Sequence, residues 1–83
     1  MPDAGHQRLA AAMDERRLEL GLRWSDVTTR GGPSGEWIRS LRRGDVGEIR
    51  GLTRARIAKA LGWQRSYVDE LLGEAPGDDR PPA

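Results

Sequence analysis

The 83-residue sequence contains no cysteine. That absence excludes disulfides, thiolate zinc sites and cysteine nucleophiles, and it fits a reducing compartment. Histidine is almost missing too: His6 is the only one, near the N-terminus, with no second imidazole to share a metal ion or a proton. No apolar run approaches the roughly 20 residues that a membrane-spanning helix needs. Residues 1–7 carry no apolar stretch of the secretory kind. A cytoplasmic protein with no membrane partner is therefore expected. Strict alternation of β-branched residues is lacking, which argues against strands. No acid–base pair or metal-ligand spacing stands out, and Gly31-Gly32 lacks the G-x-x-x-x-G-K pattern of a phosphate-cradling loop. A chain this short makes one domain and buries only about 60% of its unfolded surface, which leaves little room for a deep catalytic pocket. The expectation is no enzyme, no cofactor and no metal.

What the sequence does have is arginine, unevenly placed. The net charge of +1 conceals a strong partition. Residues 1–29 hold four Arg against five Asp/Glu, or −1. Residues 30–59 hold seven Arg and Lys59 against Glu36, Asp45 and Glu48, or +5. Residues 60–83 hold two Arg against five acids, or −3. A polyanion binder needs a localised field rather than a high total, and the middle third supplies one. A solvated charged face is the plainer reading of the same pattern. Thirteen of the 14 basic residues are arginine. That bias suits bidentate phosphate recognition, and it also suits a GC-rich genome.

Glycine and proline cut the chain into five short helical segments. The first is expected over about Gln7 to Leu20, with Leu9, Met13, Leu20 and the stem of Arg17 as its apolar stripe. Three successive alanines, Ala10 to Ala12, favour helix there. Gly21 stands where a left-handed cap belongs, and Leu22 follows as a core anchor. The second segment runs from Trp24 or Ser25 to Arg30, capped by Ser25 or Asp26, with Val27 inward. Gly31-Gly32-Pro33 must break it. The third opens on Ser34, a good N-cap, and runs to Arg43 with Ile38 and Leu41 inward and Gly44 as its stop. Asp45 to Gly51 reads as a loop. Thr53 is expected to cap a fourth helix ending at Leu61, with Ile57, Ala58 and Leu61 inward and Gly62 following. Trp63 anchors the connection. A fifth helix is expected from Arg65 or Ser66 to Leu72, with Val68, Leu71 and Leu72 inward. Residues 1–6 read as a flexible N-terminus, 7–72 as the domain, and 73–83 as a disordered Gly-Pro-Asp tail.

The informative stretch is a short helix, a glycine-containing turn and a second short helix, the specification of a helix-turn-helix. Leu20 to Gly44, "LGLRWSDVTTRGGPSGEWIRSLRRG", resembles the Cro/CI-type repressor family, also called XRE-like. Leu52 to Trp63, "LTRARIAKALGW", resembles that family's fourth helix and its ending. The resemblance covers about Leu9 to Leu72 and implies an all-α, five-helix, lambda-repressor-like bundle. It implies double-stranded DNA as partner, a homodimer at least on DNA, and a repressor of phage or mobile-element type in a bacterial or phage-infected cell. The chain is too short to add a sensory or oligomerisation domain of the kind larger repressors carry.

Residue by residue, the resemblance implies base reading by Ser34, Gly35, Glu36, Arg39 and Ser40. It implies phosphate contact at Arg43, with Arg42 and Arg50 as further candidates, and Arg30 joins them in fixing register. Trp24 occupies the family's phosphate-contacting place, usually glutamine, and departs from it because indole offers one N–H. Arg42 departs too: the family often has glutamate there, paired with an arginine that here is Arg17. Two arginines cannot make that pair, so an acid among Glu15, Glu19 and Asp26 must intervene, or Arg42 turns toward DNA.

Each residue also has a structural alternative. Glu36 can accept from cytosine N4 or simply suit the first helical turn. Arg39 can grip guanine, stand as a solvated side chain, or pair with Glu36 three residues back. Ser34 is foremost a cap. Trp37 can touch a thymine methyl or pack on the core. Trp63 and Tyr67 fit a core or a dimer contact. Arg54, Arg56 and Lys59 are expected on a solvated face of the fourth helix. The rival reading is a protein-interaction module on the same scaffold, an antitoxin or anti-repressor, favoured by the two departures and by the acidic end from Asp69 to Asp79.

Overall fold

Five α-helices make up the computed structural model, which describes residues 4–73. They are α1 (Ala4–Glu19), α2 (Trp24–Thr29), α3 (Gly35–Arg43), α4 (Gly51–Leu61) and α5 (Arg65–Leu71), with no strand among the described residues. The all-α expectation is met. Of the tail expected to be disordered, residues 74–83 lie outside the described residues, as do residues 1–3 of the expected flexible N-terminus.

α1 packs against α3, α4 and α5; α4 packs against α5; α2 lies on α3 and α4. Leu9, Met13, Val27, Ile38, Leu41, Ile57, Leu61 and Val68 are buried at the centre. Burying such a side chain stabilises by about 1.5–3 kcal/mol. That packing is what maintains α2, α3 and α5, which span six, nine and seven residues. Helices this short are marginal alone in water. Gly21, Gly44 and Gly62 take φ of 70°, 81° and 70° and end α1, α3 and α4 where expected.

Four boundaries or orientations differ from expectation. α1 begins at Ala4 rather than Gln7, so residues 4–6 are helical and Gly5 is buried. Leu20 is 37% exposed, not part of the stripe, because the helix closes at Glu19 and the chain turns through Gly21 to bring Leu22 against the core. α2 is capped at Arg23, not Ser25: the Arg23 backbone N–H donates to the Asp26 carboxylate at 2.8 Å. α4 begins at Gly51 with Arg50 as N-cap, not at Thr53, and Ile49 before it is buried. The loop thus contributes a core residue that pins the start of α4.

Arginine does much of the bracing between helices. The last carbonyls of an α-helix lack intrahelical partners and carry partial negative charge. Arg8 Nε donates to the Leu71 carbonyl at 2.9 Å, Arg16 Nε to that of Leu61 at 3.0 Å, and Arg30 Nε to that of Ala60 at 2.8 Å. Arg8 and Arg16 tie α1 to the ends of α5 and α4, and Arg30 ties the end of α2 to α4. Arg54 departs from the solvated face expected for it. Its side chain is only 13% exposed, and it donates to the Ile49 carbonyl and to Asp69 of α5, both at 2.8 Å.

Candidate nucleic-acid interface

The corner between α2 and α3 is built by close approach. The Gly32 N–H donates to the Val27 carbonyl at 3.0 Å, and Thr28 Oγ1 donates to the Pro33 carbonyl at 2.8 Å. A Cβ on Gly32 would stand 2.6 Å from the Val27 oxygen and 3.1 Å from Ala60 Cβ. Only glycine lets the turn lie this close to α2 and α4 at once. Gly31 supplies the left-handed step, at φ 101°. Pro33 is buried, and Ser34 Oγ then accepts from the Trp37 N–H at 3.1 Å, starting α3.

At about 100° per residue, Glu36, Arg39, Ser40 and Arg43 share the face of α3 opposite buried Ile38 and Leu41. Glu36, Arg39 and Arg43 are exposed, as is Ser34, while Gly35 and Ser40 are half-buried. Arg39 makes no ion pair with Glu36, so the intrahelical alternative expected for it is not found. Its Nη1 lies near Gly35 instead. Trp37 is half-buried against the core, which is the packing alternative. The base-reading set expected from the sequence therefore sits on one helix, its charged members in solvent.

The phosphate set is more dispersed. Arg43 donates to Asp45 at 2.9 Å and to Ser40 Oγ at 3.3 Å, in a pair exposed on both sides and therefore screened by solvent. Arg30 is committed through Nε to α4, which gives it a bracing role. Arg50 is exposed and makes no side-chain cap bond. Arg65 of α5, which no local pattern marks, lies against Gly51 beside it.

Trp24 and Arg42 come together. The Arg42 guanidinium carbon lies 5.4 Å from the centre of the Trp24 ring, and that of Arg17 lies 4.9 Å from the same centre. The acid that intervenes is Asp14, which accepts from Arg17 at 2.6 Å and not from Arg42, rather than Glu15, Glu19 or Asp26. Arg17 Nη1 also donates to the Leu22 carbonyl at 2.9 Å. The spacing of Asp14, three residues before Arg17 on one face of α1, is the local signal that marks it as the partner. Asp26 serves α2: the Arg23 backbone N–H holds its carboxyl below the ordinary value of 3.8. Desolvation partly opposes that shift, and the Arg23 guanidinium adds to it.

No helix among the described residues is long and apolar enough to cross a membrane. No family model, curated protein or solved structure matches the chain.

Proposed function

We propose that the chain is a sequence-specific, double-stranded-DNA-binding transcriptional regulator of the Cro/CI kind, a repressor acting in the cytoplasm without enzymatic chemistry. The observation that carries the reading is the outward face of α3. A nine-residue helix capped by Ser34 presents Glu36 and an Arg39 with no ion-pair partner among the described residues, while Ile38 and Leu41 anchor its other side. A helix held this way can enter a major groove and offer its first turns to base edges. Arg39 would read guanine bidentately, and Glu36 would accept from cytosine N4. Arg50, Arg65 and Arg43 would meet backbone phosphates, which position without reading sequence.

Selection of bound duplexes from a random pool tests this directly. A palindromic consensus with half-sites about one helical turn apart is expected from a two-fold dimer. Recovery of no enriched sequence, or of binding indifferent to salt, would defeat the proposal, because phosphate contacts release counterions.

A second reading, a protein-interaction module, draws on the exposed Leu18, Leu52 and Tyr67. Trp24 and Arg42 no longer favour it, since each accounts for the other. Stoichiometric capture of a protein partner with no retained DNA would move the balance to it.

A further inference from the structure

We infer that Trp24 is a positioning residue for Arg42, and that the pair forms a phosphate clamp unlike the glutamine the family places at the start of this helix. The inference rests on the DNA-binding reading and adds to it a defined contact and the residue that prepares it.

Three observations carry it. Both guanidinium groups lie over one indole, at 4.9 and 5.4 Å from its centre. Only one of them is neutralised: Arg17 has Asp14 at 2.6 Å and the Leu22 carbonyl at 2.9 Å, whereas Arg42 has no hydrogen bond or ion pair among the described residues. Finally, Arg42 is exposed, on the flank of α3 that faces the first residue of α2.

The physics follows from the shape of the group. An exposed arginine samples many rotamers, and ordering it on binding costs side-chain entropy. A guanidinium attracted to the face of an indole is held by the ring's negative quadrupole. Its N–H donors lie in the guanidinium plane, and none of them is engaged by another group among the described residues. Those donors match the spacing of two phosphate oxygens. Arg17, held by Asp14, lies over the same ring, and Arg42 is the cation with no ion pair among the described residues. Tryptophan thus contributes through the arginine it orders.

The test uses the full chain and a mixed-sequence DNA duplex of about two helical turns, since a phosphate contact requires no operator. Affinity is measured across a salt series for wild type, R42Q, W24L, W24F and the double variant W24L/R42Q. R42Q is expected to lower the slope of log affinity against log salt by about one. W24L is expected to weaken binding, and W24F to restore most of it because a ring remains. The double variant is expected to bind no worse than R42Q. In the free protein, the Arg42 Nε–H resonance should carry a ring-current shift that W24L removes and W24F retains. Losses that multiply in the double variant, or an Arg42 resonance indifferent to W24L, would overturn the pairing while leaving DNA binding intact. Absence of DNA binding by the wild type would overturn the functional reading and the clamp together.

Discussion

Substituting alanine at three glycines separates steric crowding from backbone strain in this fold, and Gly32 is the decisive one. A Cβ at Gly47 would meet nothing within 4 Å, and the residue has an ordinary φ. Gly21 has the same open space but sits at φ +70°. Gly32 has an ordinary φ, yet its Cβ would meet the Val27 carbonyl oxygen at 2.6 Å and both Val27 Cγ1 and Ala60 Cβ at 3.1 Å. That oxygen accepts the Gly32 N–H at 3.0 Å, so it cannot swing away without losing its bond. Gly47→Ala should therefore be neutral or stabilise by about 0.4–1 kcal/mol, the entropy removed from the unfolded chain. Gly21→Ala should cost about 1 kcal/mol, the strain of a left-handed alanine partly offset by the same entropy. Gly32→Ala forces a methyl into backbone and should cost about 3 kcal/mol, the upper end for overpacking. Subtracting the entropy gain leaves roughly 2–2.5 kcal/mol. In a domain of this size that is a fall in Tm of roughly 10–20 °C. Urea titration followed by tryptophan fluorescence measures all three. Gly32→Ala within about 0.5 kcal/mol of wild type, the ordinary range of a surface substitution, or milder than Gly21→Ala, would refute the close-packed corner.

Other substitutions probe other links. Arg54→Ala removes a largely buried brace and strands Asp69, which is 27% exposed; a loss of about 2 kcal/mol is expected, below the fully buried range because water reaches the carboxylate. An unchanged urea midpoint would reduce the bridge to a surface pair. Ser34→Ala should cost about 1 kcal/mol through the lost cap of α3, read as a shift in the same midpoint. Asp26 has its carboxyl held below the ordinary value, so its stabilising effect is present above pH 3.8 and is lost as pH falls through the lowered folded value. Asp26→Asn should flatten that acid limb, and an unchanged limb would show that Asp26 is not its source. On DNA, Arg39→Ala should relax preference at one position by about 1–3 kcal/mol, while Arg43→Ala should weaken all sequences alike. Identical binding profiles for the two would show that the assigned roles are wrong.

Features set by neighbours in sequence were the legible ones. The stops at Gly21, Gly44 and Gly62, the Ser34 cap and the inward pair Ile38 and Leu41 follow from local backbone preference and helical spacing, and the structure has them. The entry of Ile49 into the core and the turn of Leu20 to solvent depend on what packs above them, which no local pattern states. The arginines divide in the same way. Arg39 keeps the exposure that its helical position suggests. Arg8, Arg16 and Arg30 donate to carbonyls distant in sequence, a use that composition alone does not distinguish from phosphate binding. The preference for arginine here has a structural component: one guanidinium reaches a helix end and still keeps donors to spare. Trp24 and Arg42 each look anomalous alone and become intelligible only as a contact.

The brevity of α2 and α3, at six and nine residues, has a practical corollary. A peptide excised from the corner and its two flanking coils will be unstructured in water, since segments that short cannot nucleate and hold themselves. Mimicry of the exposed α3 face by a linear fragment should fail. A synthetic mimic of that face must either carry the whole globule or replace its support with a covalent staple.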